Sequence, residues 1–307
     1  MNYIVSLFYL LLLTACANKK DIKMPDRQAQ LSIEQLSNKD YHFVMGNNLI
    51  AALISPEDGG KLTSLKYNGK EILTPQSTDS LAYGSTFWPS PHNWGWPPAS
   101  SIDRDTYSSV LDGNRLVMKG PVIENLGLQF IKYFTIDVED TILNFTYQIV
   151  NVSEESKKVA PWEVTRVPKG GFTFFPIVQD YPSFKSVTSG KFEHLYYCSV
   201  DGDYSGKSQN INFNAEKGWL AHAMNGILLI KKFRDVPIDE IAPKEGDVEI
   251  YIDNDTNYIE LENQGAFTDL LPGVTLVYRT DWYLRENTIK ASLENLEKME
   301  VEVLSIL

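Results

Sequence analysis

From Tyr41 onward, apolar and polar residues alternate with a period of two. Leu126, Leu128, Phe130, Phe134, Ile136 and Val138 share one phase. Glu139-Asp140 marks a turn, and Leu143, Phe145, Tyr147 and Ile149 return in phase between Ile142 and Val150. Every second residue of a strand lies on the same face, so these runs predict a long β-hairpin with one buried face. Similar runs occur at 49–54, 115–118, 171–178, 219–233, 248–252, 257–262 and 274–284. Turn-forming clusters separate them: Glu57-Asp58-Gly59-Gly60, Asn68-Gly69, Asp112-Gly113-Asn114 and Leu271-Pro272-Gly273. No helical periodicity precedes residue 288, and Thr288 to Met299 is the one predicted helix, with Asn287 as its cap. Residues 41–287 contain no linker, repeat or low-complexity tract. The pattern therefore predicts an all-β fold, one large antiparallel sandwich.

The N-terminus has a different pattern. Ile4 to Leu13 is apolar but falls short of the ~20 residues that a membrane span needs, and it reads as the core of a signal peptide. The following Leu13-Thr14-Ala15-Cys16 resembles a bacterial lipobox, in which the cysteine is lipidated and becomes the new N-terminus. The predicted organisation is a signal peptide at 1–15, a lipidated Cys16 with a polar tether over 16–40, and a single domain at 41–307. Such a protein sits in the bacterial cell envelope, periplasmic or on the outer surface, and meets the membrane through its lipid anchor only.

Composition narrows the ligand. The 307 residues hold 28 basic and 40 acidic side chains, a formal net charge of −12 with no basic block, which argues against nucleic acid as a partner. The same charge makes a neutral sugar a better partner than a polyanionic glycan. Two cysteines exclude a disulfide scaffold, and Cys198 beside Tyr196-Tyr197 reads as a core thiol. Asp201 to Gly206 and Asp253 to Asn257 begin like calcium loops, but position twelve is Asn212 in one and Gln264 in the other, so polar turns are expected. No metal site and no cofactor is predicted.

Two stretches carry a resemblance. Ile54-Ser55-Pro56-Glu57-Asp58-Gly59-Gly60 through Asn68-Gly69-Lys70-Glu71-Ile72-Leu73 is similar to the opening hairpin of galactose mutarotase-like (aldose 1-epimerase-like) proteins. Glu260-Leu261-Glu262-Asn263-Gln264 followed by Leu271-Pro272-Gly273 is similar to their closing pattern. The resemblance covers roughly 41–285 and implies an antiparallel β-supersandwich that binds a sugar. It implies Glu262 as the general base on the anomeric hydroxyl, with Glu260 two residues earlier as the fallback. The family's general-acid His corresponds to Ala160 in Ala160-Pro161-Trp162-Glu163-Val164, so Glu163 becomes the candidate acid, with a pKa raised by its apolar neighbours. Two carboxyls facing a sugar are also used in glycoside cleavage.

The segment Gly84 to Pro98 is the densest unusual feature, with three of the six Trp within nine residues, and its four prolines predict a loop. His92, Asn93, Trp94 and Trp96 combine aromatic faces with polar groups, as sugar recognition requires. The Trp residues either face a sugar or plug one end of the sandwich, and Trp88 is the one expected in the core. Trp162 joins the candidate binding set. Arg166 is a ligand clamp or a surface salt bridge. The expected function is a carbohydrate-binding lipoprotein accessory to glycan capture or processing. The alternative is a sugar-active enzyme, an epimerase or a lyase or hydrolase, using Glu262 with Glu163.

Overall fold

The protein is described from a computed structural model that covers residues 30–200, 204, 206–253 and 258–307. Cys16, the predicted signal peptide and most of the predicted tether lie outside these residues, as do residues 201–203, 205 and 254–257 of the two calcium-loop-like stretches. Two antiparallel sheets stack face to face. The first runs Leu31–Gln35, Tyr41–Met45, Ile50–Ser55, Lys61–Tyr67, Ser85–Ser90, Lys157–Pro168, Tyr258–Gln264, Val248–Ile252 and Gln209–Phe213. The second runs Thr188–Phe192, Leu195–Ser199, Phe172–Pro176, Trp219–Met224, Ile227–Lys232, Thr275–Glu286, Ile142–Asn151, Leu128–Asp137, Arg115–Ile123 and Ser108–Asp112. The predicted hairpin is present, with Ile142 opposite Asp137 and Val150 opposite Gln129.

Three elements differ from the sequence expectation. Leu31–Gln35 is an edge strand paired with Tyr41–Met45, so the sheet begins inside the stretch expected to be tether. The C-terminal helix starts later, at Leu296, and runs to Ile306, after Asn287 has spent its side chain on the Ile289 N–H. Its buried Leu296, Met299 and Val303 cover the outer face of the second sheet against Trp219, Leu228 and Ile230. The third difference matters most. Ser85–Ser90 is a central strand despite Pro89, and it pairs with Lys157–Pro168, which the apolar pattern did not mark at all. Pro89 stands directly opposite Pro161, so the two missing N–H donors fall at one register position of the ladder. Trp88, Pro89 and Ser90 thus belong to the sheet, and the loop proper begins at Pro91.

Between the sheets, Phe87 stacks on Tyr147 at 4.3 Å and meets Phe130 edge-on at 5.3 Å. Glu163 lies in this layer, fully buried. Its carboxylate accepts hydrogen bonds from Tyr147 Oη at 2.7 Å, Thr280 Oγ1 at 2.9 Å and Trp282 Nε1 at 3.2 Å. Lys231 Nζ approaches it to 3.0 Å, and the same ammonium donates to Thr165 Oγ1 and the Leu261 carbonyl. The pair is therefore desolvated but satisfied on both sides. Glu163 is not a sugar-facing acid: it alternates with Trp162 along the strand and points the opposite way, into the core. Glu163→Gln leaves Lys231 as an unmatched buried cation and should destabilise the fold by about 3–5 kcal/mol in urea denaturation. Glu163→Gln combined with Lys231→Met should lose clearly less than Glu163→Gln alone. Equal losses would mean that the ion pair is not what holds this layer.

Candidate functional site

The site is built on the opposite face of the same central strands. Register sets it: Trp162 faces Trp88 and Gln264, Arg166 faces Glu260, and Glu260 faces Tyr251 in the next strand. Glu262 faces Glu249 directly across its strand pair. Trp88, Trp162, Glu249, Tyr251, Glu260 and Glu262, with the aromatic loop, line a cleft of about 480 Å³, within the range typical of small-ligand sites. Trp88 and Trp162 form its inner wall, ring centroids 5.2 Å apart and nearly perpendicular. Trp96, 54% exposed, overhangs the opening and its ring lies 6.0 Å from that of Trp88. His92 reaches in from the loop, 5.6 Å from the Trp162 ring. No sequence pattern brings a histidine near Glu262, yet His92 and Glu262 line the same cleft.

The loop is anchored at both ends. The His92 backbone N–H donates to Glu245 Oε1, while Gln264 Nε2 on the Glu262 strand donates to Glu245 Oε2. Trp88 Nε1 and Thr86 Oγ1 both donate to Asp103, at the end of a short helix, and Lys61 Nζ lies 3.3 Å from its other oxygen. Gly59, with φ near +65°, permits this packing, because a Cβ there would sit 2.1 Å from the Asp103 carbonyl oxygen. The other side of the loop faces a second groove of about 210 Å³. Asn93 and Trp94 line that groove instead of the main cleft, and Trp94 Nε1 is tied back to the Pro89 carbonyl. The predicted binding set is thus split, with His92, Trp96 and Trp162 on one side and Asn93 and Trp94 on the other.

Arg166 is fully buried behind the cleft, donates to Glu260 from Nε at 2.8 Å and stacks over Trp88 at 5.1 Å. It is neither a surface salt bridge nor a group lining the opening, and it fixes Glu260 and Trp88 from behind. Its Nη2 and the Gln264 Oε1 have no partner among the described residues. Glu262 accepts a hydrogen bond from Trp162 Nε1. Burial, then the charges of Glu249 and Glu260, push its pKa well above the ordinary carboxyl range, with the Trp162 bond opposing. Glu249 is pushed up to about 7, chiefly by burial, although it accepts a hydrogen bond from Asn210. Glu249, Tyr251 and Asn210 escaped the sequence reading because only strand register shows that they share a face with Glu262. The remaining histidines lie elsewhere: His42 on the strand Tyr41–Met45, His222 buried beside Thr173, and His194, exposed, paired with Glu300. Cys198 is a buried core thiol, as expected. Among the described residues, no group of three His, Cys, Asp or Glu is disposed to hold a metal ion.

A carboxyl whose pKa is higher folded than unfolded binds more protons in the native state between the two values, so stability falls as pH rises through that window. For Glu249 the window runs from the ordinary value of 4.5 to about 7. Glu249→Gln should match the wild type near the lower limit and become more stable towards the upper one, by up to about 3 kcal/mol. Urea denaturation at a series of pH values measures this, and a pH-independent difference would refute it.

The fold is shared with solved structures of low sequence identity. The Slr1438 protein from Synechocystis superposes with a TM-score of 0.56 at 12% identity, over 84% of this chain and 99% of that one. The galactose mutarotase related enzyme from Lactobacillus acidophilus gives 0.55 at 11% identity, over 83% and 100%. A galactose mutarotase-like protein from Clostridium acetobutylicum gives 0.51 at 11% identity, over 84% and 99%. No curated protein matches the chain in sequence. A family model described as "Domain of unknown function (DUF4380)" matches residues 89–285, which includes the aromatic loop from Pro91, the strand Lys157–Pro168 and the Glu262 strand. On that match the chain belongs to the DUF4380 family, built on a galactose mutarotase-like sandwich.

Proposed function

We propose that this protein binds carbohydrate in the Trp-lined cleft, as a lipid-anchored component of the bacterial cell envelope that assists glycan capture or processing. The observation that carries the reading is the composition of the cleft. Three indoles offer flat apolar faces of the kind that stack on sugar C–H bonds, and the Glu249, Glu260 and Glu262 carboxyls stand beside them for hydroxyls. The unpartnered Arg166 Nη2 and Gln264 Oε1 supply buried hydrogen-bonding capacity nearby. The fold supports the reading in a general way, because structures sharing it include a galactose mutarotase related enzyme. One observation favours a second reading, sugar epimerisation: His92 and Glu262 line the same cleft and supply an imidazole and a carboxyl for proton transfer at a sugar ring.

Calorimetric titration with a panel of monosaccharides tests the binding. Trp96→Ala, at an exposed position, should weaken the best ligand by about tenfold or more without lowering the melting temperature, and Trp162→Phe should weaken it as well. Absence of binding by every sugar would end the carbohydrate reading. Polarimetry of a freshly dissolved aldose separates the two roles: an epimerase speeds the approach to anomeric equilibrium and loses about 100-fold or more in Glu262→Gln, whereas a binding protein leaves the uncatalysed rate unchanged. The anchor is checked independently, since Cys16→Ala should move the protein from the membrane fraction to the soluble fraction, and retention in the membrane would refute lipidation at Cys16.

A further inference from the structure

The charge of the cleft points to a narrower ligand class. Its described lining carries five carboxyl groups, Asp79, Glu249, Asp253, Glu260 and Glu262, and no Lys or Arg. Three of these are answered within the protein: Asp79 accepts from the backbone N–H groups of Leu81 and Ala82, Asp253 accepts from Tyr251 Oη, and Glu260 accepts from Arg166. Glu249 and Glu262 are not answered by a cation. Their partners are the Asn210 amide for one, and the Trp162 indole and the Glu260 carboxyl for the other. They also occupy directly opposed positions on one face of neighbouring strands, where like charges destabilise a sheet. The buried Lys231 attracts Glu262 from the other face of the sheet, but its ion pair is with Glu163 and it does not enter the cleft. A neutral ligand would leave this pair as it is, and an anionic ligand would make it worse.

A cation would resolve it. The rings beside the two carboxyls, Trp88 and Trp162 at the wall and Tyr251 and Tyr258 further along, attract positive charge through their faces as well as apolar C–H groups. Building on the sugar-binding reading above, we propose that the cleft selects a sugar bearing a protonated amine, with the ammonium between Glu249 and Glu262 and the ring against the indoles. The net charge of −12 draws such a ligand in, where it would repel an anionic sugar. Binding is coupled to protons. Burial raises Glu249 to about 7 and Glu262 well above the usual range, so the empty cleft holds protons that the arriving ammonium releases by favouring both ionised forms. The other titratable groups lining the cleft are Asp79, His92, Tyr251, Asp253, Tyr258 and the Arg166-paired Glu260.

Calorimetry at neutral pH with D-glucosamine, D-glucose and N-acetyl-D-glucosamine, each in two buffers of different ionisation enthalpy, tests this. Glucosamine should bind at least about tenfold more tightly than the other two, and its heat alone should depend on the buffer, reporting proton release. Glu249→Gln should shrink that preference. If glucose binds as tightly as glucosamine, the amine inference falls and the sugar reading stands. If no sugar binds, whether or not choline does, both fall together.

Discussion

The central strand Lys157–Pro168 must satisfy two environments at once, and the rest of the structure depends on how it does so. One face lies against the second sheet, where an uncompensated charge would be severely unfavourable; the other forms the floor of a cleft. Alternation assigns Glu163 and Thr165 to the first face and Trp162 and Arg166 to the second. Each face places a charge where water cannot reach it, and each is met by an opposite charge: Lys231 of the facing sheet for Glu163, and Glu260 of the neighbouring strand for Arg166. A slip of one register position would turn Arg166 toward the second sheet and Glu163 toward the cleft, breaking both pairs together. The two ion pairs therefore constrain register as well as stability, and register is what brings Glu249, Glu260, Glu262 and the indoles to one place.

Much of the architecture was legible in the sequence because a sandwich with one buried face leaves a period of two. The hairpin Leu128–Asp137 with Ile142–Asn151 and the Asn68-Gly69 turn follow it closely. Two of the strands that form the site were not legible, for related reasons. Ser85–Ser90 and Lys157–Pro168 are buried on both faces, so alternation disappears, and the prolines within them argue for loop. The structure accommodates Pro89 and Pro161 by setting them opposite each other, a pairing that neither segment shows alone. The resemblance located Glu262 correctly on its strand. The sequence reading put Glu163 as acid and Trp162 and Arg166 as binding residues at one site, although odd and even positions of a strand cannot share a face, a point available from period alone once 157–168 is recognised as strand.

The missing histidine shows how position and function separate. Ala160 stands where the resemblance expects the acid, yet an imidazole enters the cleft from a different element, the loop after Ser90. What allows this is the anchoring of the loop. Glu245 ties its backbone to the Glu262 strand through His92 and Gln264, and Trp88 at its base is fixed by Asp103 below and by the Arg166 guanidinium stacked on its ring. A histidine held on both sides in this way has a defined position relative to Glu262 even though it lies on a loop, which is the condition for either selective binding or proton transfer.

The same anchoring explains why the cleft keeps a strained set of carboxyls. Replacing Glu249 or Glu262 by an apolar residue would remove opposed charges from adjacent strands and the desolvation that raises their pKa values. A sequence under pressure for stability alone would be expected to make that replacement, since the surrounding network of Asn210, Trp162 and Arg166 already fills the space with neutral or compensated groups. Stability given up at a preformed, aromatic-lined cleft is the pattern expected where binding selects the residues. The binding partner that repays it must interact with the charged forms that the empty site disfavours, and so must bring hydrogen-bond donors or positive charge, not acceptors alone.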